Sequence, residues 1–235
     1  MLDILYQDDY LVAVDKPPGI LVHKSWIDKQ ATTFVMQQLR DQIRQSVYTL
    51  HRLDKKTSGV LLFGLSSAVA ASMSQKIRER QLQKTYLAIV RGFTPDADTI
   101  NYPLVRDLEQ GPDEKVEAIT RYKTLKTGVL NVPIGRYETA RYSLVQAFPE
   151  TGRMHQIRRH FKHLRHPIIG DTKYGDRDHN RYFREEQEMD QLFLMAQTLG
   201  FVHPVSGEQV QIEAPIRADF MRFFELVGWP PSSLD

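Results

Sequence analysis

The chain has 235 residues, 41% hydrophobic and 26% charged, enough to bury a core of its own and ordinary for a soluble globular protein. It contains no cysteine, which excludes disulfides, thiolate attack on a pyrimidine ring and cysteine-ligated zinc. The net charge of +2 selects no partner by itself. No run of about 18 apolar residues calls for a membrane span, and Met1 to Tyr6 lack the basic-then-apolar pattern of a secretory signal, so the cytoplasm is the default expectation.

Taken in order, Ile4–Tyr6 and Leu11–Val14 read as two short strands around a turn at Gln7-Asp8-Asp9, ended by Lys16-Pro17-Pro18-Gly19. Residues 32–45 predict a helix, with Val35, Leu39 and Ile43 on one face and Thr32 or Thr33 as cap. The apolar run Gly59–Leu65 suits a buried strand. Ser66 or Ser67 can cap a following helix with Val69, Met73 and Ile77 inward. Thr85–Val90 is a strand. Residues 94–117, polar and rich in Pro, Asp and Glu, predict a variable excursion. Ile119–Leu125 and Arg141–Phe148 are strands, and 153–165 a helix with Met154, Ile157, Phe161 and Leu164 on its apolar face. Residues 171–190 predict an exposed loop. Leu192–Val202 and Gln209–Ile212 close the fold as strands, and Asp219–Leu226 as a helix. Strands and helices mix without strict alternation, which predicts an α+β architecture: a mixed sheet with flanking helices.

Charge is unevenly placed. Between Gly152 and Arg184 stand nine Lys or Arg against three Asp, with five His besides. A concentrated basic stretch is the footprint of phosphate-backbone binding. The four histidines at 155, 160, 163 and 166 have no cysteine and no carboxylate among them, so no metal site is expected.

The most informative string is His51-Arg52-Leu53-Asp54-Lys55-Lys56-Thr57-Ser58-Gly59. It is turn-like and leads directly into a buried strand, where a rigid element can hold a reactive loop residue. Arg52, Lys55 and Lys56 favour an ionised Asp54, which suits a nucleophile or base. On local chemistry alone the same Asp suits an Asx-turn among solvated lysines better. The string also resembles the His-Arg-Asp loop of kinases. The chain has neither a phosphate-binding glycine loop nor Asp-Phe-Gly, so nucleotide-dependent transfer has no support. A second string, Thr151 to His160, carries Arg153, His155 and Arg158, which suit phosphate or carboxylate contacts or a solvated helix face.

His51-Arg52-Leu53-Asp54-x-x-Thr57-Ser58-Gly59 resembles the signature of the RluA-type pseudouridine synthases. Asp15-Lys16-Pro17-Pro18-Gly19 with Val22-His23, Gln83-Lys84-Thr85-Tyr86-Leu87-Ala88, and Gly152-Arg153-x-His155-Gln156-x-Arg158 resemble further motifs of that family. His166-Pro167-Ile168-Ile169-Gly170-Asp171 with Tyr174-Gly175, and His203-Pro204, fit as well. The matches run in family order over nearly the whole chain. The sequence departs at Leu194-Met195-Ala196, where the family usually has His in the middle.

The resemblance implies a single catalytic domain, 1–235, without an N-terminal S4 domain. Its sheet would be mixed and largely antiparallel, bisected by an RNA-binding cleft and flanked by helices and loops. It implies isomerisation of uridine to pseudouridine in RNA, with no cofactor and no metal. Asp54 matches the catalytic aspartate, Tyr86 the active-site tyrosine and Arg158 the arginine paired with the aspartate. Arg52 matches the arginine that displaces the base, and His51, Thr57, Arg153, His155, Gln156 and Lys162 are expected to bind substrate. Within the family the layout, including Leu21 to Trp26, is most similar to the subgroup that modifies uridine 65 of tRNA. The expected partner is therefore RNA, tRNA first, with no membrane and no obligate protein partner. An rRNA substrate, or a relative that only holds RNA, are the alternatives.

Overall fold

Val60, Leu61, Leu62 and Phe63 are all at most 1% exposed. A continuous apolar run has no polar face to offer solvent, so its strand must be covered on both sides. In the computed structural model, which describes residues 1–23, 33–105 and 114–230, this run is β4 (Ser58–Gly64). The architecture is α+β, with mostly antiparallel strands and five helices among the described residues. The chain forms two compact units, Met1–Lys84 with Met195–Pro215, and Thr85–Leu194 with Ile216–Asp235.

In the first unit, β1 (Asp3–Gln7) and β2 (Leu11–Lys16) form a hairpin, and β2 pairs antiparallel with β4. The short β3 (Tyr48–Thr49) pairs with the C-terminal end of β4. The N-terminal end of β4 pairs in parallel with the strand Leu194–Val202, through Met195 opposite Ser58 and Ala196 opposite Gly59. Helix α1 (Val35–Ile43) buries Val35 and Leu39 as the spacing predicts. Its expected threonine cap is absent: Phe34 occupies the N-cap without a side-chain bond, and Thr32 lies outside the described residues. The first N–H groups of the helix find the carbonyls of Leu21 and Val22 instead, so tertiary backbone replaces the cap. Helix α2 (Ser67–Arg78) is capped by Ser66, whose side chain accepts from the Val69 amide.

The second unit carries β5 (Gln83–Arg91), which begins on the last residues of the first. Then follow β6 (Ala97–Asn101), the small ribbon β7 (Leu104–Val105) and β8 (Lys115–Val116), β9 (Ile119–Leu130) and β10 (Ala140–Pro149). Here the order is β5-β10-β9-β6, antiparallel throughout. The expectation of an irregular excursion over 94–117 is thus corrected. Its polar stretch contains an edge strand and a two-stranded ribbon, because an edge needs only one covered face and tolerates alternating polar residues; residues 106–113 of it lie outside the described residues. Helix α3 (Gln156–His163) rests on β9 and β10.

Residues 171–190 also depart from expectation. Arg177–Glu186 form α4, with Asp176 as N-cap accepting from the amides of Asp178 and His179. Only two of its residues, His179 and Phe183, are buried. Phe183 joins an aromatic cluster with Tyr142, Phe193 and Phe223, at centroid separations of 5.5, 6.4 and 5.0 Å. The last two strands are β11 (Leu194–Val202) and its partner β12 (Gln209–Glu213). The terminal helix α5 (Ala218–Val227) ends on Gly228, φ 72°, and Trp229 closes over Gly128, donating to the Thr127 carbonyl at 3.1 Å.

Two residues at the β4–β11 contact are constrained. Met195, in place of the histidine of the resemblance, is fully buried. A thioether meets burial without needing a hydrogen-bond partner. Gly59 has φ 102°, and a Cβ there would lie 2.1 Å from the carbonyl oxygen of Ala196. Gly59→Ala is expected to destabilise the protein by about 3 kcal/mol or more. Urea unfolding would read this, and a midpoint equal to that of the parent would contradict the close approach.

Candidate active site

The Asp54 segment is built from three backbone anchors in the first unit. The amide of Thr57 donates to the Asp54 carbonyl at 3.0 Å, closing a turn that begins on Asp54. Gly19 N–H donates to the Lys55 carbonyl at 2.8 Å. Lys16 is completely buried, and its ammonium donates to the carbonyls of Pro17, Ile20 and Lys55 at 2.8, 2.9 and 3.1 Å. A buried lysine is tolerated only when its charge is satisfied. Here it ties the Pro-Pro-Gly loop to the Asp54 turn. Leu53 and Thr57 are buried on either side, which leaves Asp54 half-buried and Arg52 exposed.

His51 is held by strand β4: its Nε2 accepts from the Leu62 amide at 3.1 Å, so the proton sits on Nδ1. Burial, and then the nearby Lys84 cation, push its pKa down from 6.5 to about 3. The ring therefore stays neutral and latches the start of the loop to the strand. Thr57 is 2% exposed, so its side chain faces the interior, where a substrate contact had been expected.

In the second unit Tyr86 lies near the start of β5, opposite Ala147 of β10, and is half-buried. Helix α3 is pinned to β9 through one hydroxyl. Thr120 Oγ1 lies 2.9 Å from both Gln156 Nε2 and His160 Nδ1. The carbonyl facing the opposite ring nitrogen can only accept, so in the neutral imidazole Nδ1 is the bare nitrogen and the hydroxyl donates to it. The other ring nitrogen then donates to the Tyr102 carbonyl at 3.1 Å. Burial is the main cause holding the pKa of His160 down at about 4. Gln156 also donates to the Ile119 carbonyl, and its oxygen accepts from Thr151 Oγ1 and the Arg153 amide. All four of its hydrogen bonds are used within the protein, so the expected substrate contact meets a side chain whose role is to set the helix.

That register delivers Arg158 to Asp171. The guanidinium donates through Nε and Nη2 to the two carboxylate oxygens at 2.7 and 2.9 Å. The side chains are 8% and 1% exposed. Asp171 also accepts from the amides of Lys173 and Tyr174. Burial alone would raise its pKa, but the Arg158 hydrogen bond and charge and the two amides outweigh it and hold the carboxyl below its ordinary value. The Tyr174 ring packs 5.2 Å from the guanidinium carbon, and its hydroxyl meets His155 Nδ1 at 3.0 Å. Asn180 of α4 grips the backbone on both sides, accepting from Gly170 N–H and donating to the Asp171 carbonyl. Asp171 was not singled out in the sequence as a site residue; its signal was its place in His166-Pro167-x-x-Gly170-Asp171.

The remaining site candidates are spread out. Arg153 donates to the Glu117 carbonyl at 2.9 Å, and Lys162 is exposed on α3. The clustered histidines go separate ways: His155 to Tyr174, His160 to Thr120, His163 stacked on Tyr102 at 3.6 Å, and His166 to the Arg91 carbonyl.

Residues 10–163 match the family model described as RNA pseudouridylate synthase. The chain belongs to the RNA pseudouridylate synthase family. It is 48% identical over 236 residues to the tRNA pseudouridine synthase C of Haemophilus influenzae, covering 97% of this chain and 99% of that protein. It is 46% identical to the protein of the same name from Vibrio cholerae, covering 100% and 99%. Among solved structures it is similar to human RNA Pseudouridylate Synthase Domain Containing 1, with TM-score 0.72 and 28% identity over 92% of this chain and 84% of that one. The family is one of isomerases, so the chain is an enzyme of that class.

Two outcomes test this geometry. Asp171→Asn leaves a buried guanidinium without its counter-charge, so stability should fall by about 3 kcal/mol. Single-turnover formation of pseudouridine should slow while the RNA dissociation constant stays within about threefold. An unchanged rate would make Asp171 a purely structural partner. His51 and His160 refuse protons that the unfolded chain accepts below pH 6.5. Their stabilisation is thus present above pH 6.5 and is lost as pH falls towards about 4 and about 3. Urea midpoints should drop between pH 7 and pH 5, and His160→Asn should flatten that dependence; a midpoint constant over this range would contradict both assignments.

Proposed function

We propose that this chain isomerises uridine 65 of tRNA to pseudouridine in the cytoplasm, using Asp54 as its essential carboxylate and no metal or cofactor. The carrying observation is 46–48% identity along nearly the whole chain to proteins named tRNA pseudouridine synthase C. Among the described residues no helix is long and apolar enough to cross a membrane.

The reaction is redox-neutral. The bond from C1′ to N1 breaks, the uracil turns, and C5 bonds to C1′; C5 gives up its proton and N1 gains one. The base must first leave its stack, and the planar cation of Arg52 suits the space it vacates. Asp54, ionised, serves as nucleophile or base. The Tyr86 ring stacks on the flipped base, and its hydroxyl helps move the C5 proton. Arg158, held in place by Asp171, is the arginine assigned to serve the reacting carboxylate. Arg153, His155 and Lys162 contribute to RNA binding.

Asp54→Asn keeps shape and removes the anion. Pseudouridine formation in a tRNA transcript should be lost, while RNA affinity, which rests mainly on phosphate contacts, should largely survive. Turnover by the Asn variant within about tenfold of the parent would remove Asp54 from the mechanism. Mapping pseudouridine in tRNA and rRNA from cells with and without the protein tests the target: loss at tRNA position 65 is expected, and loss confined to rRNA would overturn it. Arg158→Met and Lys162→Met separate the two arginine–lysine roles. The first should slow the single-turnover rate at saturating enzyme, and the second should mainly raise the dissociation constant.

A further inference from the structure

Within the second unit, the turn joining β9 to β10, the end of β5 and the residues after α3 enclose a cavity of about 590 Å³. Its wall carries Arg91, Arg136, Arg141, Arg165 and His166, with Glu138 as the one carboxylate. A second cavity of about 600 Å³ shares Arg91 and Arg165 with it and adds Lys162, His163 and Arg177, with Asp176. Arg91 is paired with Asp176 at 2.9 Å. Among the described residues, Arg136 and Arg141 pair with no carboxylate. They lie against aromatic rings instead: Arg136 sits 5.0 Å over Tyr137 and donates to its hydroxyl, and Arg141 sits 5.4 Å over Phe93. Both rings are themselves exposed, at 48% and 42%.

Hydrogen bonds tie the strand ends of this frame together. Gly92 N–H donates to the Arg141 carbonyl, Arg91 N–H to the Pro167 carbonyl, Ser143 Oγ to the Gly92 carbonyl, and His166 Nδ1 to the Arg91 carbonyl. Guanidinium groups held over exposed rings, with no carboxylate partner among the described residues, form a surface suited to nucleic-acid phosphates and bases. Strand register separates it from the candidate chemistry. Tyr86 stands opposite Ala147 and Arg91 opposite Tyr142, five residues along the same strand. At about 3.4 Å per residue that is roughly 17 Å, or about five base steps of a nucleic-acid helix. A single flipped uridine does not span that distance.

We propose that this arginine–aromatic cavity is a second RNA-contact site, gripping the sugar–phosphate backbone of the substrate several nucleotides away from the target uridine. It rests on the reading of the chain as a tRNA-modifying enzyme, and it adds the place where the body of the substrate is held. Arg136 and Arg141 lie outside the basic stretch 152–184, where isolated charges give no sequence signal.

The test uses the full chain with Arg136→Gln and Arg141→Gln together. Its substrates are a whole tRNA transcript and a truncated stem-loop in which no backbone lies more than about three base steps from the target. For whole tRNA the dissociation constant should rise about tenfold or more, and the salt slope should become shallower by about two, at about 0.9 per phosphate contact. The single-turnover rate at saturating enzyme, and affinity for the stem-loop, should stay unchanged. Arg136→Lys with Arg141→Lys should retain most of the slope. Glu138→Gln, which removes the like-signed neighbour of phosphate, should tighten tRNA binding, a change that misfolding does not produce. Unchanged tRNA affinity and slope in the Gln pair would overturn the site, as would an equal loss with the stem-loop. If the parent made no pseudouridine in tRNA yet bound it with these same dependences, the functional reading would fall and the RNA site would stand.

Discussion

A guanidinium buried at 8% exposure must have its charge answered nearby, and Asp171 answers Arg158 with both carboxylate oxygens. Around that pair the second unit is organised. Asp171 can receive Arg158 only if its own backbone is fixed, which Asn180 does from α4. Helix α4 in turn is seated by Phe183 in the aromatic cluster. Arg158 can reach Asp171 only if α3 has the right rotation, which Gln156 and His160 set against Thr120. A buried ion pair adds little net stability, because desolvation offsets most of the attraction, but breaking one side is costly. Its value here is positional: a bidentate pair holds the plane of the guanidinium as well as its location.

The first unit uses the same device with a lysine. Lys16 is enclosed and donates to three carbonyls, one of them belonging to the Asp54 turn. Gly59, pressed against Ala196, prevents that turn from drifting along β4. His51, kept neutral by burial, fastens the other end. Three residue types that read as charge or flexibility in a sequence are brackets in the fold. The position of a half-buried Asp54 thus follows from interior contacts that never touch a substrate.

What the sequence disclosed and withheld divides along physical lines. Strands β1, β2, β4, β5, β9 and β10 were legible because continuous or alternating apolar runs leave few options. Helices α1, α2, α3 and α5 were legible by their periodicity. Helix α4 was not, since two buried residues in ten give no periodic stripe, and its stability comes from Asp176 and one phenylalanine. The edge strand and ribbon after β5 were hidden by polar composition. The turn at Asp54 was legible because a polar string meets an apolar strand there, whereas a reactive role for Asp54 was read from the motif and not from that pattern. The pairing of Asp171 with Arg158 was not legible, because a partner thirteen residues away leaves no local trace, although Asp171 itself stands in a motif. Gln156 entered the substrate set through its place in the motif, and its bonds to Ile119 and Thr120, 37 and 36 residues away, leave no mark in the local sequence.

The same distinction bears on how basic residues are counted. The nine Lys or Arg between Gly152 and Arg184 read in the sequence as one concentrated basic footprint. Arg158 is withdrawn from it, since its guanidinium is buried and held by Asp171. Arg181 and Arg184 pair with Asp178 and Glu185, but those pairs are 50–61% exposed and are weak enough to exchange for phosphate. Arg136 and Arg141, outside the stretch, face solvent on aromatic supports. Burial, and not position in a charged run, decides which cations remain available. A cation answered in the interior sets geometry, whereas one left on the surface releases counter-ions when it meets a phosphate.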